Sequence, residues 1–436
     1  MTVRELTLKL LCDAEENGKY VNLSLNSHLL DGISDEERAF VTALLYTTVE
    51  RKITLDYWIG TFTARSPDDL SGHTKNVLRL GLCQLAFFEK VPVYAAVNET
   101  VALAANAGER ALVNAVLRRA AQAPSELPYP PREKNPARYL SIRYSFPLWM
   151  VKRFCASLGE EDCERMLAVM DEKAPLTVAV NPLKTARDAY IKTLSDAGIP
   201  AEPTPVSPVG IRISSPIPVK RLPGFTEGLF YVQDEASQIH ALVLAPRPGE
   251  TVADVCAAPG GKSIAAALAM ENRGTVLSMD LHENKLSLLR DSAARLGITC
   301  LSVSARDALT PDPALSGKAD RVICDVPCTG LGVMGKKPDL RYKEPESVGE
   351  LAALGYDILS ASVSYLKPGG VLVYSTCTLT AEENENNVDR FLREHPDFSP
   401  EPFSVGGRDF PDGRLTLYPH RDGTDGFFIA KLRKTV

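Results

Sequence analysis

The chain has 436 residues, more than one hydrophobic core usually organises, so two or three domains are expected. With 44% hydrophobic and 24% charged residues, no apolar run near the roughly 20 that span a bilayer, and charges mixed into the opening MTVRELTLKLL, the sequence predicts neither a membrane segment nor a secretory leader. Nine cysteines without regular spacing point to reduced thiols in a cytoplasmic protein, and a net charge of -6 argues against simple polyanion binding while leaving room for a local basic surface.

Up to residue 122, apolar residues recur at helical spacing through Leu6 to Leu11, Phe40 to Val49, Val77 to Phe88 and Leu112 to Leu117, and no strand pattern intervenes. Ser34 and Glu37, in Ser-Asp-Glu-Glu ahead of such a run, have the form of a capping box. Residues 1–122 therefore read as an all-α bundle. The strings VPVYAAVNE (91–99) and LVNAVLRR (112–119) resemble the NusB-like RNA-binding domain in order and content. That resemblance implies RNA contact; a domain that only positions its catalytic partner is the other reading.

Residues 123–137 form a linker, because APSELPYPPREKNP carries five prolines. Arg132, Lys134, Arg138, Arg143, Lys152 and Arg153 cluster around and after it with Glu133 as the one acid among them, a candidate phosphate-contacting set or else a solvated charged face. Residues 138–245 are expected to hold a small α/β RNA-binding unit: APLTVAVNP (174–182) reads as a strand, a helix follows near Ala186 to Ala197, and proline-rich connections run to Val219. FYVQDEAS (230–237) leads into the last domain.

Over residues 246–436 the short β-rich runs TVADVC, GTVLSMD, CLSVSA, RVICDV and GVLVYST alternate with helical stretches, the pattern of a doubly wound, mostly parallel, Rossmann-like α/β sheet. Ligands in such sheets sit at the carboxyl ends of the strands. There lies Cys256-Ala257-Ala258-Pro259-Gly260-Gly261-Lys262, whose glycines allow a close backbone approach to a ligand but whose spacing is neither that of a P-loop nor the dinucleotide G-x-G-x-x-G. Asp280 and Asp307 end the next two strands, where carboxylates accept hydrogen bonds from a ribose and an adenine; each alone also reads as a cap or turn residue. Asp325-Val-Pro-Cys328 closes the fourth strand and Tyr374-Ser-Thr-Cys377 the fifth, so two thiols arrive at neighbouring strand ends. A thiolate is a natural nucleophile for an electron-poor ring carbon.

AAPGGKS, DVPCTG, STCTLTAEENE and DGFFIA, in this order, resemble the RNA cytosine-5 methyltransferase family, and with the NusB-like front end the likeness reaches nearly the whole chain and the branch acting on small-subunit (16S) rRNA. The resemblance implies a seven-stranded methyltransferase sheet and S-adenosylmethionine as cofactor, held by residues 256–262, Asp280, Asp307 and Asp325. It implies that Cys377 attacks carbon 6 of cytosine, that Cys328 assists proton loss and release, that Asp325 bonds the base near N3, and that Lys262 orients that carboxylate or the base. His420 is implied near the site, with a plain turn histidine as the alternative. The implied partner is 16S rRNA, naked or partly assembled, with no membrane and no metal. Two departures stand out: Thr329 replaces a usual serine, and Ala179 stands where an RNA-contacting arginine is expected. Lys336, Lys337, Arg341 and Lys343, with Tyr342, form a second candidate RNA-contacting run. The competing readings are a tRNA enzyme, a catalytically silent RNA-binding assembly factor, and a zinc site from Cys324, Cys328, Cys377 and His420.

Overall fold

In the computed structural model, which describes residues 1–17, 32–172, 174–215 and 217–435, the chain divides into two units: Met1–Asp171 with Lys337–Lys343, and Glu172–Lys336 with Glu344–Val436. The first unit is helical among its described residues: α1 (Val3–Asn17), α2 (Asp35–Glu50), α3 (Lys52–Thr63), α4 (Gly72–Phe87), α5 (Val93–Val101), α6 (Ala107–Ala120), α7 (Pro136–Tyr144), α8 (Leu148–Leu158) and α9 (Glu160–Asp171). The cap expected at α2 is present: the Glu37 amide donates to Ser34 Oγ at 3.1 Å and the Ser34 amide to the Glu37 carboxylate at 2.9 Å. Leu10, Leu44, Leu45, Trp58, Leu78 and Leu117 share the core, where Gly81 of α4 lets Leu117 of α6 pack against its backbone. Arg79 is buried there and compensated, donating to both Asp56 oxygens at 2.6 and 2.7 Å and to Glu15 at 2.6 Å.

The basic run after the fourth strand is in part structural, with Arg341 and Tyr342 turned inward, while Lys336 and Lys337 are exposed. Arg341 is fully buried in the helical unit, where it donates to Glu50 Oε1 at 2.9 Å and to the carbonyls of Glu50, Tyr144 and Met170, with its guanidinium 4.0 Å from the Phe146 ring centroid. Tyr342 donates its hydroxyl to the Val49 carbonyl at 2.6 Å. Lys336, in the other unit, is ion-paired with Asp234 and, at 2.9 Å, with Asp425. Charge counting along the chain fails here because the neutralising acids lie far away in sequence. The first basic cluster is likewise partly committed: Arg132 donates to Glu160 and Glu164, and Arg143 donates to the Tyr129 hydroxyl.

The second unit starts with an antiparallel sheet of order β2-β3-β1-β4, made of β1 (Leu176–Val180), β2 (Ala201–Pro203), β3 (Gly210–Ile213) and β4 (Phe230–Val232), with α10 (Arg187–Asp196) following β1. Ala179 is fully buried in β1 opposite Gly210 and Tyr231. After α11 (Glu235–Leu244) come β5 (Thr251–Asp254), α12 (Gly261–Ala269), β6 (Thr275–Asp280), α13 (Glu283–Leu296), β7 (Leu301–Ala305), β8 (Ala319–Asp325), α14 (Glu346–Ser362), β9 (Leu366–Thr376), α15 (Glu385–Glu394), β10 (Phe398–Pro400), the β11 (Phe403–Val405) and β12 (Arg408–Phe410) hairpin, β13 (Arg414–Leu417), the short α16 (Pro419–Asp422) and β14 (Phe427–Lys434).

The main sheet runs β10-β14-β9-β8-β5-β6-β7, seven strands in line, with β13 as an eighth pairing only with β14. From β7 to β9 the pairs are parallel, and β14 lies antiparallel to β9. Residues of α11, α12 and α13 share one core with the sheet and residues of α14 and α15 another, so the central strands are buried on both faces and read as continuous apolar runs such as RVICDV. The chain winds from β5 outward through β6 and β7, then returns to β8 on the opposite flank of β5. The crevice between the carboxyl ends of β5 and β8 is the topological switch point, where open α/β sheets bind ligands.

Candidate active site

The β5–α12 loop is built for close approach. Gly260 adopts φ +115°, and a β-carbon there would lie 2.4 Å from Leu289 Cδ1, so both conformation and space require glycine. The loop is pinned to β6: the Ala257 amide donates to the Met279 carbonyl at 2.8 Å and the Ala258 amide to the Asp280 carboxylate at 3.1 Å. Cys256 lies in the same loop, and burial pushes its thiol well up, which keeps it protonated. Asp280 also accepts from the His282 amide at 3.0 Å, and the exposed Asp307 accepts from the Leu309 amide at 2.9 Å; both acids thus shape turns at their strand ends. Backbone amides at the start of α12 and carboxylates at two strand ends fit a cofactor that joins a nucleoside to a charged amino-acid tail.

Beneath the loop Asp254 is buried, accepting from Ser263 Oγ at 2.7 Å, which in turn accepts from Ser278 Oγ at 2.8 Å. Burial, reinforced by the nearby Asp325 charge, raises this carboxyl to about 7. Gln233 adds a further pin, donating to the Gly261 carbonyl at 3.0 Å, while its side-chain oxygen is buried without a protein partner.

Asp325 ends β8 with both oxygens held: Lys262 Nζ lies 2.6 Å from one, and Ser375 Oγ donates to the other at 2.7 Å. Register explains the second bond, because Asp325 pairs directly with Ser375 across β8 and β9. Lys262 also stands 4.9 Å from the Phe427 ring centroid, which fixes the ammonium over an aromatic face. Two residues beyond Ser375, the Cys377 sulfur lies 3.1 Å from the Cys328 sulfur, and both cysteines are half-buried. The contact with Cys377, together with burial, pushes the Cys328 thiol well above its usual range. Either sulfur of the pair can be the S–H donor.

The structure therefore brings Lys262, Asp325, Cys328 and Cys377 into one constellation beside the glycine loop. His420 lies in α16, its ring set edge-on to Tyr418. Cys324 is buried inside β8 against Ser362, and among the described residues no group of three or more His, Cys, Asp or Glu side chains is placed to hold a metal. Ser375, Gln233 and Glu383 were not assigned from the sequence. Ser375 and Glu383 lie within the quoted strings YSTC and TAEENE, yet their roles depend on strand register and on a buried turn, which no linear spacing encodes.

Comparison with known proteins places this geometry. Residues 241–433 match the family described as 16S rRNA methyltransferase RsmB/F, residues 1–122 the NusB family, and residues 146–220 the ferredoxin-like domain of RsmF/B-like methyltransferases. The chain is 36% identical over 447 residues to a probable ribosomal RNA small subunit methyltransferase B of Bacillus subtilis, covering 99% of each. It is 32% identical to ribosomal RNA small subunit methyltransferase B of Salmonella typhi, covering 92% of each. Among solved structures, a methyltransferase homologue from Pyrococcus horikoshii superposes with a TM-score of 0.61 at 29% identity, covering 69% of this chain and 99% of that one. NSun6 from Pyrococcus horikoshii, solved with the S-adenosylmethionine analogue SFG, gives 0.58 at 25% identity, covering 65% and 97%. The chain belongs to the RsmB/F family of S-adenosylmethionine-dependent 16S rRNA methyltransferases.

Proposed function

We propose that this chain methylates carbon 5 of a cytosine in 16S rRNA through a transient bond between Cys377 and carbon 6 of the base. The observation that carries this reading is the pair of sulfurs 3.1 Å apart, one residue stretch from a carboxylate gripped by Lys262 and Ser375. A paired thiol donor beside Cys377 favours its thiolate, and a thiolate adding to carbon 6 moves the ring's π electrons toward carbon 5. Asp325 accepts from the exocyclic amino group beside N3 and so orients the base, while Lys262 holds the carboxylate in place and sets its positive charge beside the ring as charge develops there. Bound S-adenosylmethionine supplies a methyl group activated by its sulfonium centre. Residues 256–262, Asp280 and Asp307 are the proposed contacts to it, with Asp325 closing the pocket toward the base.

Once carbon 5 carries the methyl group, its proton must leave so that the carbon 5–carbon 6 double bond re-forms and the Cys377 sulfur departs as thiolate. Cys328 is the proposed agent. Its thiol is held high chiefly by Cys377, and that influence weakens when Cys377 becomes a thioether; the Cys328 proton then passes to solvent, and the resulting thiolate takes the carbon 5 proton. The ring must leave any stack for the sulfur to reach it from above the plane, so the target cytosine is single-stranded or flipped. The NusB-family region, residues 1–122, and the small α/β region after the proline-rich linker are proposed to supply RNA contacts to naked or partly assembled rRNA.

The test is nucleoside analysis of 16S rRNA after incubation with the protein and labelled S-adenosylmethionine. The expected product is 5-methylcytidine, absent with Cys377→Ala. Cys328→Ala is expected to accumulate a protein–RNA adduct that survives a denaturing gel. A methylated base other than cytosine, or normal turnover by Cys377→Ala, contradicts the proposal.

A further inference from the structure

Glu383 is a buried acid that the mechanism above does not use. It is 1% exposed and accepts from neutral donors: the Thr329 amide at 2.7 Å, the Thr329 hydroxyl at 2.7 Å and the Thr380 hydroxyl at 2.6 Å. Burying a carboxylate strips it of hydration, and neutral hydrogen bonds offset only part of that loss. An apolar side chain would hold two loops together without such a cost, so the geometry this acid imposes needs its own explanation.

The donors lie next to the two cysteines. Thr329 follows Cys328, and Thr378 follows Cys377, with the Thr329 and Thr378 hydroxyls 2.8 Å apart and both residues fully buried. Since the single Thr329 hydroxyl proton points to the carboxylate, Thr378 must be the donor between the two threonines. A continuous chain thus runs from the Cys377 side through Thr378 and Thr329 to Glu383. The turn carrying Glu383 is itself fastened: Tyr374 donates to the Glu383 carbonyl at 2.6 Å, and Asn384 donates to the Thr378 carbonyl at 3.1 Å. Position 329 therefore needs a hydroxyl, which serine and threonine both supply.

We propose that Glu383 is a positioning residue for the release step: by holding Thr329 and Thr380 it fixes Cys328 against Cys377, so that Cys328 reaches the carbon 5 proton of the adduct. The inference rests on the two-cysteine reading above. It assigns Glu383 no contact with RNA or cofactor.

The experiment compares single-turnover methyl transfer, steady-state turnover and adduct on denaturing gels for the full-length protein with unmethylated 16S rRNA. Glu383→Gln removes one of the acceptor oxygens, and Thr329→Val removes the hydroxyl while keeping the shape, so at least one of the two is expected to fold. Both are expected to transfer the first methyl group within a few-fold of wild type, to lose steady-state turnover by about tenfold to a hundredfold, and to accumulate adduct. Thr329→Ser is expected to release its adduct. Equal loss of single-turnover and steady-state rates without adduct, or unchanged turnover in both variants, overturns the positioning role. Cys328→Ala run in parallel separates the two layers. If it traps adduct and these variants do not, only the role of Glu383 fails; if it traps none, the two-cysteine reading fails and this inference with it.

Discussion

Asp254 and Asp325 end neighbouring strands, one buried and the other held by a cation and a hydroxyl. Asp325 has Lys262 at 2.6 Å, whereas Asp254 accepts from neutral groups, Ser263 among them, inside a core that lifts its carboxyl to about 7. An acid whose folded-state value lies above its ordinary value of 3.8 takes up a proton on folding. The stabilisation this gives is full below about pH 4 and is lost as pH rises through 7. Asp254→Asn, neutral throughout, is therefore expected to gain melting temperature relative to wild type as pH climbs from 4 to 8, read by thermal scans across that range. A difference that does not change with pH contradicts the assignment. At this scale the sequence was informative about chemistry and silent about support. Lys262, Asp325, Cys328 and Cys377 stand in strings whose glycines and strand ends announce a site, while Ser375 and Glu383 act through register and burial that appear only when β8 and β9 lie side by side.

At the scale of elements, the loop from Cys328 to Lys336 is held by backbone as well as by side chains. The Gly332 amide donates to the Cys377 carbonyl at 3.0 Å, and the Gly426 amide donates to the Gly332 carbonyl at 2.8 Å. A β-carbon at Gly332 would lie 2.0 Å from the Gly426 carbonyl oxygen, which is backbone and has nowhere to move without shifting the loop. Gly332→Ala is expected to cost about 1–3 kcal/mol of stability and to slow methyl transfer. Denaturant unfolding and a methylation assay check it; wild-type values in both contradict the contact. The strands themselves were legible because parallel strands buried on both faces give dense apolar runs, and all five expected over residues 251–376 occur. The Gly332 to Gly426 contact was not legible, since nothing in either string marks two glycines almost a hundred residues apart as neighbours.

At the scale of the whole molecule, the chain leaves the methyltransferase unit after Lys336, contributes Lys337–Lys343 to the helical unit, and returns at Glu344. Arg341 anchors that excursion through the Glu50 carboxylate, the carbonyls of Glu50, Tyr144 and Met170 and the Phe146 ring, and Asp171 lies 4.0 Å away. Removing one partner of such a buried pair leaves the other charge uncompensated, so Arg341→Met is expected to lower stability by about 3–5 kcal/mol in denaturant unfolding. The salt slope of RNA binding is expected to stay unchanged; a slope reduced by about one would restore Arg341 as a phosphate contact. The sequence showed the helical front and the α/β back, but it presented this run only as a cluster of cations, because their acidic partners lie elsewhere in the chain. The most direct measurement is peptide mapping by mass spectrometry of the Cys328→Ala protein after reaction with 16S rRNA and S-adenosylmethionine. The account predicts a methylated cytosine nucleotide linked to the peptide that contains Cys377, at Cys377; a link at any other residue, or none, contradicts it.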